Sequence, residues 1–293
     1  MAQARELRRR IKSVQSTRQI TRTMEMVATS KLKRAQDRVI AARPYANALA
    51  EVIGDLYAPD LAERFPLLRQ PGAKGVKRVA LIGITANRGL CGAFNTNLIR
   101  EMRRRVADLE GQAGGVQVDL HLVGRKGANF FRFTKRAVAS QRTDIGERPT
   151  ADHAQEIITP LLEQFATGQL DAVEIVFAKF NSAISTPATT MRILPVAPPE
   201  PKAGGVKADY LLKPSAEAIL EDLLPLYVRN QVYRALVETT AGFYGSQRTA
   251  MKNATDNAGE MLDILKRTYN RARQGQITQE LAEIVGGAEA LNG

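Results

Sequence analysis

Residues 1–56 read MAQARELRRRIKSVQSTRQITRTMEMVATSKLKRAQDRVIAARPYANALAEVIGDL, a basic stretch with no glycine before Gly54 and one proline, Pro44. Taken alternately every third and fourth residue, it yields Ala4, Leu7, Ile11, Val14, Arg18, Thr21, Glu25, Ala28, Leu32, Ala35, Val39, Ala42, Ala46, Leu49, Ile53 and Leu56. All but Arg18, Thr21 and Glu25 are apolar. A repeat held at about 3.5 residues puts one narrow stripe along a helix and predicts a left-handed supercoil against a partner helix. At ~1.5 Å per residue such a helix runs to roughly 80 Å, well beyond the helices of globular domains. Ala28, Ala35, Ala42 and Ala46 imply that the partner backbone comes close. The interruption at Arg18, Thr21 and Glu25 is either a polar patch tolerated in a solvated coil or a stretch facing something other than its coil partner. Pro44 lacks an amide donor and crowds the turn before it, so a kink or break is expected near Arg43.

The chain has 293 residues, which allows one or two domains. Aromatic residues make up only 5% and tryptophan is absent, as suits a chain that is largely long helix with little interior. No apolar run approaches the ~18 residues of a membrane-spanning helix and no signal peptide is recognisable, so a soluble or peripheral protein is expected. The single cysteine, Cys91, excludes an internal disulfide and a cysteine zinc site. His121 and His153 are too scattered to build a metal site, and all three read as ordinary structural residues. The formal charge of +12 is concentrated at the start, where residues 1–43 hold twelve lysines and arginines against Glu6, Glu25 and Asp37. Such a face can meet nucleic acid, an anionic membrane or an acidic protein.

Beyond the rod, Pro59, Pro66, Pro71, Gly72 and Gly75 mark a connecting loop. The run VALIGIT at 79–85 is short and continuously apolar, the signature of a strand buried on both faces. A loop over 86–94 precedes a helix over 95–109 with Asn95 as its N-cap. Strands at 118–123, 137–140, 172–180 and 189–196 follow, with helices at 126–133 and 151–165. This alternation predicts a Rossmann-like, mostly parallel α/β domain over 77–197. Pro195, Pro198, Pro199, Pro201, Gly204 and Gly205 then form a connector to a second rod, over 209–290, with Ser215 as a cap and Pro225 as a kink. Its helical pattern runs through Leu220, Leu224, Val228, Val232 and Leu236. A small-residue seam continues it through Met251, Ala254, Ala258, Met261, Leu265, Thr268 and Ala272. Residues 215–293 hold eight cations and ten acids, a fit for the basic first rod. With a domain inserted between them, the rods at 1–58 and 209–290 must run antiparallel. The fold class is therefore α/β: a long antiparallel coiled coil of the terminal helices carrying an inserted α/β domain.

The loop after the first strand invites a nucleotide reading, but Gly89-Leu90-Cys91-Gly92 supplies only G-x-x-G. A dinucleotide fingerprint needs G-x-G-x-x-G, and no Gly-Lys-Ser or Gly-Lys-Thr phosphate loop is present. A plain strand-to-helix turn is the better reading. No grouping of serine, histidine and carboxylate suggests a nucleophile. The residues alone leave an interaction shaft, a nucleic-acid-binding basic coiled coil and, with least to support it, a nucleotide-dependent enzyme.

Three further stretches are more specific. ITRTMEMVATSKL at 20–32 resembles the N-terminal signature of the gamma subunit of the F-type ATP synthase, and AMKNATDNA at 250–258 with ITQELAEIVGGA at 277–288 resembles its C-terminal signature. RGLCGAFN at 88–95 is similar to the family's loop after the first strand of its central domain. The resemblance spans the whole chain. It implies a non-catalytic rotary shaft of a bacterial F1 sector, with no active site or cofactor of its own, which couples proton-driven rotation of the c ring to conformational cycling of the catalytic beta subunits.

The partners it implies are the alpha and beta subunits, at one copy per three alpha–beta pairs, the epsilon subunit and the c ring, with no nucleic acid. By the same resemblance Met24 and its basic neighbours face the acidic C-terminal loop of beta. Arg273, Gln274, Thr278 and Glu280 touch catch loops of alpha and beta, and residues 282–290 form the shaft tip in a largely apolar bearing. Asp209 and Tyr210 belong to a foot toward epsilon and the c ring. Because the motif begins at the N-terminus without a presequence, a bacterial enzyme is expected, held through the complex on the cytoplasmic face of the cell membrane. Residues 195–207 lack the cysteine pair of plant chloroplast members, so thiol control by that route is not expected.

Overall fold

The computed structural model describes residues 2–56, 64–70, 75–112, 115–197 and 216–292. Helix α1 (Ala2–Leu56) is followed by strand β1 (Arg78–Ile84), helix α2 (Phe94–Glu110), β2 (Gln117–Val123) and α3 (Arg125–Phe133). Then come β3 (Ser140–Arg142), α4 (Ala151–Ala166), β4 (Ala172–Ala178), β5 (Ala188–Leu194) and the 77-residue helix α5 (Ala216–Asn292). The chain forms two compact units, Thr29–Ser246 and Met1–Ala28 with Gln247–Gly293, and α1 and α5 contribute to both.

The larger unit is built on a five-stranded sheet of order β3-β2-β1-β4-β5. Helical crossovers make β1 to β4 parallel, whereas the short connection after β4 returns β5 antiparallel. Side chains alternate along β1: Val79 and Leu81 pack with Leu98, Met102 and Val106 of α2, and Ala80, Ile82 and Ile84 pack with Ile158, Leu161 and Phe165 of α4. Both long helices enter these cores. Leu32, Ala35 and Val39 join the first face; Leu49, Ile53 and the α5 stripe Leu220, Leu224, Val228, Val232 and Leu236 join the second. The apolar pattern of both rods thus serves sheet packing as well as helix pairing. Each fully buried leucine or isoleucine contributes roughly 1.5–3 kcal/mol.

Two buried carboxylates lock this unit. Glu174 of β4 accepts from Nε and Nη2 of Arg105 on α2 at 2.6 and 2.7 Å. Glu238 of α5, only 1% exposed, accepts from the Phe180 amide at 2.9 Å and from Arg234 Nε at 2.7 Å. Beside it the Thr239 hydroxyl accepts from the Ala178 amide at 3.2 Å, so α5 covers the amides at the end of β4.

In the smaller unit α1 and α5 run antiparallel, with Thr21 opposite Thr255 and Arg18 lying over Gly259. The α1 face is the sequence-predicted one, from Ala4 through Val14 to Ala28. Thr21 corrects the idea that its stretch faces away from the coil, because its hydroxyl is buried and accepts from Thr255 Oγ1 at 2.8 Å. On α5 the seam runs through Met251, Thr255, Ala258, Leu262, Leu265, Tyr269 and Ala272. Met261 and Thr268, placed in the seam by sequence, face out, with Met261 53% exposed. A heptad can be read from Met251 as three-then-four or four-then-three, and the second stripe wins because it buries Leu262 and Tyr269.

Thr21 also donates to the Arg18 carbonyl of its own helix, and the single Thr255 proton is shared between Thr21 and the Met251 carbonyl. Changing both to valine therefore orphans no backbone group and leaves a continuous apolar seam. The double substitution is expected to raise stability by about 1 kcal/mol in a denaturant titration; a loss of that size would contradict the account.

Three other expectations change. Helix α1 runs unbroken through Pro44, and α5 through Pro225. Both prolines are exposed, as is Pro160 inside α4, so the carbonyl that each leaves unpaired meets water instead of a core. The N-cap of α2 is Ala93, not Asn95. The strand expected at 137–140 lies at Ser140–Arg142, after a turn in which Lys135 takes a positive φ. Ser215, Asp209 and Tyr210 lie outside the described residues.

Candidate functional site

The loop of the RGLCGAFN motif is a stitched turn. Asn95 accepts the Ala86 amide through Oδ1 at 3.0 Å and donates through Nδ2 to the Arg88 carbonyl and to Cys91 Sγ, both at 3.2 Å. Leu90 and Gly92 take positive φ, of 60° and 57°, which turns the chain tightly around the buried Cys91. Burial pushes the Cys91 thiol up, away from the reactive thiolate.

The start of α3 is engaged as well. Its Arg125, Lys126 and Gly127 amides go to Asn87 Oδ1 at 2.8 Å, the Ala86 carbonyl at 3.1 Å and the Thr85 hydroxyl at 2.9 Å. Those are the donors a phosphate needs at a helix N-terminus, and here the fold itself consumes them. The remaining histidines hold structure. His121 shares 2.8 Å with the Ser140 hydroxyl, and burial pushes its pKa down. His153 accepts the Thr150 amide at 3.1 Å in a capping box that starts α4.

The partner-contact residues expected from sequence sit on the smaller unit in two groups. Met24 is half-buried on α1, beside a shallow depression lined by Ser16, Gln19, Ile20 and Thr23, with Ile20, Met26 and Val27 exposed around it. Arg273, Gln274, Thr278 and Glu280 are all exposed on α5, where the Thr278 hydroxyl donates to the Gln274 carbonyl at 3.0 Å. From the register of Thr21 with Thr255, the two groups lie about 30 Å apart along the pair at ~1.5 Å per residue. The structure does not bring them into one site.

The same register sets the first residues of α1 level with about residue 274, so α5 continues for its last four or five turns with no α1 beside it. That extension is apolar along one side: Ile277, Leu281, Ile284 and Val285 are each about half exposed or more. Spacings of four, three and one place them on one face of a helix. An isolated helical segment this short is marginal in water, and an apolar face on it marks an interaction surface.

Two further observations bear on the assignment. Residues 3–291 match the ATP synthase family, and the whole chain is 65% identical, over 100% of both, to the "ATP synthase gamma chain" of Gemmatimonas aurantiaca. The chain belongs to the ATP synthase gamma chain family. Among solved structures it is similar to a chain of the Euglena gracilis mitochondrial ATP synthase "OSCP/F1/c-ring" structure, with a TM-score of 0.68 at 21% identity over 99% of this chain and 95% of that one. It is also similar to a chain of the Tetrahymena thermophila mitochondrial ATP synthase "central stalk/cring" structure, with a TM-score of 0.62 at 24% identity over 80% of this chain and 99% of that one. At these identities the likeness concerns the fold: terminal long helices with a mostly parallel sheet between them in sequence. The family assignment gives no support to a nucleic-acid role for the basic rod. No helix among the described residues is long and apolar enough to cross a membrane.

Proposed function

We propose that the chain is the central rotary shaft of the F1 sector of an ATP synthase, turning with the c ring and imposing successive conformations on the catalytic subunits around it. The observation that carries this reading is the unpaired end of α5, an apolar helix face left without a partner by the antiparallel register. A shaft tip turning in a collar needs such a face, and apolar contact suits rotation because it is non-directional and has no fixed bonds to break. Exposed Arg273 and Gln274 at its start, and Thr278 and Glu280 along it, supply polar contacts to alpha and beta, and Met24 with the cations of the first rod meets an acidic surface of beta. The stoichiometry is one copy per three alpha–beta pairs. Asp209 and Tyr210 contribute to a foot against epsilon and the c ring, and membrane association is peripheral, through the complex.

The test is reconstitution with alpha and beta subunits, reading stoichiometry on a sizing column and ATP turnover of the assembled complex. Because Arg273 and Gln274 are exposed and Met24 is half-buried, changing all three to alanine is expected to leave the melting temperature unchanged. Coupled turnover is expected to fall about tenfold, equivalent to ~1.4 kcal/mol of coupling. Wild-type turnover in the triple variant would overturn the contact assignment, and failure of the wild-type chain to assemble would overturn the shaft.

A further inference from the structure

The larger unit contains a cavity of about 310 Å³ beyond the carboxyl ends of β1 and β2, walled on one side by α5. Ile84, Ile145, Leu236 and Phe243 give it an apolar lining. Phe243 stands edge-on to Tyr244, ring centroids 5.2 Å apart, and to Phe94 at 6.0 Å, an aromatic wall that favours a flat ring as guest. Its volume falls at the small end of the ~300–1,000 Å³ range of small-molecule sites.

Its polar groups are few and unevenly satisfied. Tyr244 lines the cavity and is 3% exposed, yet its hydroxyl makes no hydrogen bond among the described residues. Burial, and the Glu147 carboxylate beside it, push its pKa up, so the phenol stays a neutral donor. Glu147 is near enough to act on the phenol but not placed to accept a well-formed bond from it. Burial alone would raise Glu147, but the Lys31 ammonium, bonded to both its oxygens at 2.7 and 2.6 Å, the nearby Tyr244 hydroxyl and Arg88 at 3.7 Å hold it below the usual carboxylate range. Its charge is thereby neutralised by Lys31 from outside the cavity and by Arg88 within its lining. Arg125, also in the lining, is exposed, and its side chain pairs with no acid among the described residues.

A buried phenol without a well-formed hydrogen bond, an exposed guanidinium with no acid paired to it and an aromatic wall share one cavity. We propose that this cavity binds a small aromatic carboxylate, its ring against Phe243 and Leu236 and its carboxylate taken by the Tyr244 hydroxyl and Arg125. A carboxylate fits better than a phosphate, because the backbone amides that would cradle a phosphate at the start of α3 are already bonded to Thr85, Ala86 and Asn87. The proposal is independent of the rotor reading.

The experiment is calorimetric titration of the full chain with 2-naphthoate, with 2-naphthylmethylamine as a cationic probe of the same shape. Tyr244→Phe removes only an unbonded hydroxyl and Arg125→Gln only an unpaired charge, so both variants should melt with the wild type. Saturable 2-naphthoate binding, weakened about tenfold or more by either substitution, with no binding of the amine, is the expected result. Absence of 2-naphthoate binding to the wild-type chain, undiminished affinity in either variant, or equal binding of the amine would each overturn the proposal.

Discussion

Replacing Gly124 by alanine is expected to unfold the sheet-bearing unit, or to cost it more than about 4 kcal/mol in a denaturant titration followed by circular dichroism. Gly124 joins β2 to α3 at φ +97°, a conformation L-residues rarely adopt. A Cβ there would lie 2.0 Å from the Thr85 carbonyl oxygen and 2.6 Å from its carbon. Both are backbone atoms of the chain leaving β1, so no side-chain rotation relieves the clash. The Gly124 amide is also committed, donating to the Arg142 carbonyl at 2.8 Å and so joining β2 to the β3 edge. Gly115 separates the two contributions. It has φ +61° but nothing within 4 Å of its notional Cβ, so Gly115→Ala should cost only about 1 kcal/mol. Equal losses at the two positions would show that the clash with Thr85 is not what matters.

Glu238→Ala should cost about 3 kcal/mol. The substitution leaves the Phe180 amide without its acceptor and strips the partner from Arg234, whose side chain is two-thirds buried. Glu238→Gln keeps an acceptor for the amide and should lose roughly half as much. A shift below about 1 kcal/mol in the alanine variant would mean that water replaces the carboxylate, and that α5 is held to the end of β4 by its apolar stripe alone.

The long helices were legible because their signals are repetitive. A stripe of sixteen positions in α1 survives three polar members, and where the structure tests them most of its apolar members are buried or half-buried. The α5 stripe had two nearly equivalent phases, and local periodicity does not separate Met261 from Leu262; the packed pair buries Leu262 and leaves Met261 exposed. Asn95 looked like a helix cap because that residue type caps helices. Its actual partners, Ala86 and Arg88, belong to the same loop but cap nothing, and only folding around Cys91 reveals them. The two buried glutamates were invisible for a different reason. Nothing in a sequence distinguishes Glu238 from a solvated helix acid until Phe180 and Arg234 arrive from elsewhere in space or along the helix. The cavity is the extreme case, assembled from the ends of β1 and β2, the loop at Gly146 and Glu147, and one face of α5. The residues proposed to face partners came from family signatures, because exposed side chains such as Arg273 and Gln274 carry no packing pattern.

Helix α5 is one hydrogen-bonded ladder 77 residues long, but its surroundings change threefold along its length: enclosed by sheet cores up to about Tyr244, half-covered by α1 to about Gln276, and bare thereafter. Amide exchange should therefore accelerate stepwise toward its C-terminus, with no break in the backbone to mark the steps. In the free chain the last turns will fray, since nothing compensates the conformational entropy of holding them helical. On the proposed shaft reading, that entropy is then charged to association, lowering affinity relative to the area covered and making the order of this end a reporter of assembly itself. A single helix can in this way be scaffold at one end and a coupled folding-and-binding element at the other.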